Sequence, residues 1–197
     1  MRIVAVVLFA LLTLAAPANA ADVPDSAVQL RILSRAAMII SIEVTNPSDN
    51  VARFDSIGLY FIPDASAEEP QRLGVVSAGR VATADGRWVA ATDIIDVAPH
   101  ASIRVELTTY CLDVKREAPP STMGYHLASR RMPTALSTAL AGAARTVASL
   151  GYDPEGARPD AHLDRAGSVS AETQKAVWRV RAAIPVPLLG DRRRDAE

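Results

Sequence analysis

The chain has 197 residues, 49% of them hydrophobic, and carries 21 basic against 22 acidic side chains for a formal net charge of −1. That length suits one domain, or one domain with a small appendage, and the near-balance of charge lacks the basic excess of a nucleic-acid-binding domain. Cys111 is the only cysteine, so an intrachain disulfide is excluded.

Residues 1–20 read as an export signal. Arg2 supplies the positive start, Ile3 to Ala16 is an apolar run, and Ala18-Asn19-Ala20 has the small-x-small form of a cleavage site. The run is shorter than the roughly 18 apolar residues of a membrane span, and no later segment reaches that length. Arg2 is the only charge removed by cleavage near Ala20, which leaves 20 basic and 22 acidic side chains. The mature chain is expected to be secreted or periplasmic, with no membrane span. A free thiol in such an oxidising compartment calls for burial, intermolecular pairing or chemistry.

A β-sandwich is expected over 21–112, and from Ala27 to Thr109 the pattern has the period of two that half-buried strands require. Ile40, Ile42 and Val44 alternate with Ser41, Glu43 and Thr45, and Asn46-Pro47-Ser48-Asp49-Asn50 then supplies turn residues. Further strands are predicted over 28–34, 53–62, 72–77, 87–97 and 102–112. In the last of these Ile103, Val105, Leu107, Thr109 and Cys111 share one parity, so Cys111 is expected to point toward the core. An unpaired cysteine there behaves as a small hydrophobe, and the same position suits an acylated thiol shielded from water. Short strands separated by turn signals predict an antiparallel, immunoglobulin-like β-sandwich.

Pro119-Pro120 ends the strand region, and a helical region packed on the sandwich is expected over 113–187, after a short extended piece at Tyr125-His126-Leu127. Leu136, Leu140, Ala143, Val147 and Leu150 recur at helical spacing, predicting a helix over 134–150 that Gly151 caps. Residues 152–168 read as a loop, and Ser170 as the N-cap of a second helix over 171–183. Its apolar stripe is Thr173, Ala176, Val177, Val180 and Ile184, with Gln174 and Trp178 an i, i+4 pair on the flank. Residues 188–197, with Arg192-Arg193-Arg194, read as a solubilising tail. The fold class is therefore α+β.

Tyr110-Cys111-Leu112-Asp113 is followed by basic residues, prolines and Tyr125. Then come a helix ending near Gly151-Tyr152 and the segment Thr173-Gln174-Lys175-Ala176-Val177-Trp178. Over about residues 110–182 this pattern resembles the thioester domains of bacterial surface proteins. The resemblance implies that the thiol of Cys111 and the carboxamide of Gln174 condense, with loss of ammonia, to an internal thioester that an amine on a surface partner then opens. The chemistry is coherent, because a thiolate is a good leaving group and a thioester survives where water is excluded. His126, between the two motifs, is a candidate proton acceptor for the attacking amine.

Two functions stand side by side. One is an exported, non-catalytic binding protein whose sandwich meets a protein or cell-surface partner and whose Cys111 is core. The other is a thioester-containing adhesion module built on Cys111 and Gln174. A structural role for Cys111 makes no demand on Gln174. An enzyme with turnover ranks behind both. No cofactor is implied, and Cys111, His100, His126 and His162 contain no close pair with the spacing of a metal site.

Overall fold

The computed structural model describes residues 27–64, 70–120, 122–150 and 165–188, with side chains of the second helix described from residue 169. The predicted export signal, the cap at Gly151, most of the predicted 152–168 loop and all but the first residue of the tail lie outside the described residues. Among the described residues no helix is long and apolar enough to cross a membrane.

The strands are β1 (Gln29–Ala36), β2 (Ile39–Thr45), β3 (Ala52–Asp55), β4 (Tyr60–Pro63), β5 (Leu73–Ala82), β6 (Trp88–Ala90), β7 (Ile94–Val97), β8 (Ser102–Cys111) and β9 (Tyr125–Leu127). Among the described residues two helices follow, α1 (Thr134–Leu150) and α2 (Arg165–Ala183). All strand pairs are antiparallel. A seven-stranded sheet runs β1-β2-β8-β5-β4-β9 with β6 on β5, and β3 and β7 form a separate two-stranded sheet. The fold is α+β and antiparallel. The partition into one large curling sheet and one small one is less even than the sandwich read from the sequence.

Local chemistry accounts for where the strands break. The predicted strand 53–62 is two strands, β3 and β4, because Gly58 takes φ 91° and turns the chain between them. The predicted strand 87–97 likewise divides into β6 and β7 around Asp93. Its carboxylate accepts from the Ala78 amide on β5, while its carbonyl accepts from the Ser56 amide. On β5 the register with β8 shifts between Val75 and Ser77 and again between Ala78 and Arg80, and such bulges bend a strand and raise its twist. That bending lets one sheet wrap much of a core.

Each face of the large sheet is buried against something different. The inner core lies against the β3–β7 sheet and includes Ile40, Ile42, Phe54, Leu73, Leu107 and Cys111. The outer core lies beneath the helices and includes Tyr60, Val76, Tyr110, Leu112, Leu136 and Val177. Consecutive residues at the end of β8 thus point into opposite cores, Cys111 inward and Tyr110 and Leu112 outward. Burying a Leu-sized side chain contributes about 1.5–3 kcal/mol, so this doubly buried strand end is a strong anchor.

The helices therefore cover the outer face of the sheet. In α1 the buried positions are Leu136, Ser137, Leu140 and Ala141, and Leu150 at the end of the predicted stripe is 70% exposed. Helix α2 begins at Arg165, so Ser170 lies inside the helix and is not its N-cap. The predicted stripe holds in Thr173 and Val177, both buried, and Thr173 settles its hydroxyl on the Val169 carbonyl at 2.8 Å.

One ion pair ties three parts of the chain together. Arg72, just before β5, is fully buried and forks onto Asp113, just after β8. Its Nε donates to Oδ2 at 2.9 Å, its Nη2 donates to Oδ1, and its backbone amide donates to Oδ2 at 3.0 Å. Arg72 Nη1 also donates to the Leu188 carbonyl beyond α2 at 3.4 Å. Removing one partner of a buried pair strands the other charge, so Asp113→Ala is expected to destabilise the fold by about 3–5 kcal/mol in urea denaturation, whereas Asp85→Ala in the exposed pair with Arg87 should leave the urea midpoint where it is.

Candidate functional site

Along β8, alternate residues offer their backbone groups to alternate neighbours. The Thr109 amide donates to the Met38 carbonyl at 2.7 Å on the β2 side, whereas the Leu112 amide donates to the Arg72 carbonyl at 2.9 Å on the β5 side. Cys111 has the parity of Thr109, so its amide and carbonyl face the β2 side. The β2–β8 register, however, ends at Ile39 opposite Thr108. Without another partner the last rung of the sheet would be open at Cys111.

Gln174 fills that rung. The Cys111 amide donates to Gln174 Oε1 at 2.9 Å, and Gln174 Nε2 donates to the Cys111 carbonyl at 2.7 Å. The carboxamide copies the donor and acceptor of a strand residue and is satisfied at both ends. Because α2 is held on the outer face by Val177, one turn of helix brings Gln174 to the strand edge and lets Trp178 reach the inner core. The two residues that the sequence motif singles out, 63 positions apart, are therefore in direct contact.

The thiol itself sits within the inner core, with Cys111 5% exposed. Cross-strand partners run Cys111, Leu73, Phe61 and Leu127 in one row over β8, β5, β4 and β9. Burial pushes the thiol up to about 11; the Arg35 guanidinium pulls it down and the Asp113 carboxylate adds to the rise. Arg35 at the end of β1 stands over the Tyr125 ring at 5.1 Å and donates to the Pro120 carbonyl at 2.9 Å. The Tyr125 hydroxyl donates to the Gln71 carbonyl at 2.9 Å, and burial raises its pKa as well. Protonated and shielded, the thiol is a poor nucleophile toward bulk reagents.

His126 is placed elsewhere. It is one residue off the Cys111 row, so it faces the opposite side of the sheet, and three strand spacings separate β9 from β8, about 14 Å. There it is exposed and bonded through Nδ1 to Asp64 Oδ1 at 2.7 Å. The structure brings Cys111 and Gln174 together and leaves His126 out.

The reading of the residues missed Arg35, Arg72 and Asp113. Asp113 was visible within Tyr-Cys-Leu-Asp, and an arginine opening the apolar run Leu73–Val76 is a signal that an acid must meet it, though nothing local says which one. It also took Gln174 to be dispensable to a structural Cys111, which the rung corrects. No protein-family model matches this chain, and a search of characterised proteins found none detectably similar in sequence.

Gln174→Ala is expected to cost about 1–3 kcal/mol, because it leaves a strand-end amide and carbonyl without partners. Gln174→Glu should cost at least as much, since it sets a carboxylate oxygen against the Cys111 carbonyl. For protein with its thiol free, a folded-state pKa above the ordinary 9.0 means that the stabilisation is complete below pH 9 and is lost as pH rises through about 11. Urea titrations across that range should show the decline, and Cys111→Ala should remove its share and leave that of Tyr125.

Proposed function

We propose that Cys111 and Gln174 are the two partners of an internal thioester, and that this exported protein captures an amine of a surface partner as a covalent amide. The reading rests on the two hydrogen bonds by which the Gln174 carboxamide docks on the backbone of Cys111. They hold the acyl carbon beside the residue that carries the thiol. The Cys111 amide already donates to Oε1, the oxygen on which negative charge grows when a nucleophile adds to the carbonyl.

In the forming step the Gln174 Cδ–Nε2 bond breaks and a bond from Cδ to Cys111 Sγ forms, with the thiol proton leaving on ammonia. In the capture step an amine nitrogen adds to Cδ, the C–S bond breaks, and the amine proton returns to the thiolate. Acylation also removes the need to ionise a buried thiol, since the product carries no charge. Trp178, one turn beyond Gln174 and packed against the inner core, adds to the shielding from water.

A second reading has its own support. Both polar groups of the Gln174 amide are used by the strand edge, and the thiol is buried and protonated. On that reading the contact is a structural clasp, in a non-catalytic interaction protein built on an immunoglobulin-like sandwich. The two readings diverge on exposure to a labelled primary amine followed by peptide mapping. A thioester predicts stoichiometric label on Gln174, abolished in Cys111→Ala and Gln174→Ala while His126→Ala labels normally. Absence of label in folded wild-type protein supports the clasp.

A further inference from the structure

A cleft of about 560 Å³ opens where the chain leaves β8 and passes the C-terminal half of α2. It begins one residue beyond Cys111, at Leu112, and one helical turn beyond Gln174, at Trp178. Its size is that of a small-molecule site, and its walls combine apolar surface with positive charge. Leu112, Val114, Trp178 and Pro185 supply the apolar part, and Arg72, Lys115, Arg116 and Arg181 the cations.

The charges do not cancel. The one carboxylate of the wall, Asp113, is held by Arg72, with Arg116 Nε 3.9 Å from the same group. Lys115 is exposed and has no ion pair among the described residues. Arg181 donates from Nη1 to the Ile184 carbonyl at 3.2 Å, which steadies its guanidinium, yet its Nε is buried without an acceptor. The indole Nε1 of Trp178 is likewise buried without one. Unpaired buried donors carry a cost that an acceptor relieves, and uncompensated cations between low-dielectric walls concentrate anions.

We infer that this cleft binds an organic carboxylate, with the charge toward Lys115 and Arg181 and an apolar body against Trp178 and Leu112. A small hydrated anion gains nothing from those apolar walls, whereas a carboxylate on a hydrocarbon chain uses both. Taken together with the proposed thioester, on which this extension rests, the cleft becomes the subsite that selects the captured amine. Gln174 and Arg181 are seven residues apart, about 10 Å along the helix axis. An acceptor bearing its amine and its carboxylate at the two ends of a short alkyl chain fits that interval.

Two measurements test the inference, the first independent of any thioester chemistry. In a Trp88→Phe background, where Trp178 is the only tryptophan, hippurate should perturb the indole fluorescence at least tenfold more tightly than its neutral amide. Arg181→Ala and Lys115→Ala should each erase that preference with unchanged circular dichroism. Equal affinity for acid and amide, or a preference untouched by both substitutions, overturns the site. In the second, ε-aminocaproate should label Gln174 about tenfold faster than hexylamine, two amines of similar basicity. Equal labelling rates refute the selecting role and leave the thioester standing. Labelling by neither amine removes the thioester, while the hippurate arm still decides the cleft.

Discussion

Everything around Cys111 depends on a sheet that is one rung short. Strand β2 stops before β8 does, so the amide and carbonyl of Cys111 have no strand to pair with, and a buried backbone pair without partners is costly. The side chain of Gln174 completes the ladder, and this fixes more than a hydrogen bond. Helix α2 has to lie at one height on the outer face for its carboxamide to reach the strand edge. Val177 in the outer core and Trp178 against the inner core hold it there. Below that point Arg72 and Asp113 pin the start of β5, the exit of β8 and the segment after α2 into one joint.

The same contact gives the site its chemical character. A carboxamide that lies along a strand edge presents its carbonyl to a backbone donor and its nitrogen to a backbone acceptor, beside a thiol that the inner core has closed to water. Burial works in two directions here: it disfavours the free thiolate and protects an acylated sulfur. For the proposed thioester, such a site suits a bond that is made once and kept until an amine arrives. Arg181 turns a positive charge toward the cleft, so the proposed charge selection and acyl chemistry would share one helix, about two turns apart.

The strand alternation was legible wherever one face met the core and the other met water or polar neighbours. Ile40, Ile42 and Val44 of β2, and Val105, Leu107 and Cys111 of β8, point inward as their parity demands. The reading faltered where a tertiary partner or a turn overrode the local pattern. Residues 53–62 look continuous in hydropathy, but Gly58 permits a turn that the alternation does not announce. Ser170 resembles a cap only because the helical residues before it have little apolar periodicity to mark them. The motif was legible as two segments, but the form of their contact was not. Its geometry depends on β2 ending early, which is a fact of pairing between residues far apart in sequence. The Arg72–Asp113 joint was hidden for the same reason, its partners being 41 positions apart.

The most direct test is the intact mass of the purified, untreated protein under denaturing, non-reducing conditions, set beside that of Cys111→Ala. The thioester account predicts a wild-type mass one ammonia below that of its sequence and a variant mass equal to its own. A wild-type mass equal to its sequence, with one thiol that reacts only after unfolding, would contradict it and leave the Gln174–Cys111 contact as a clasp between helix and strand.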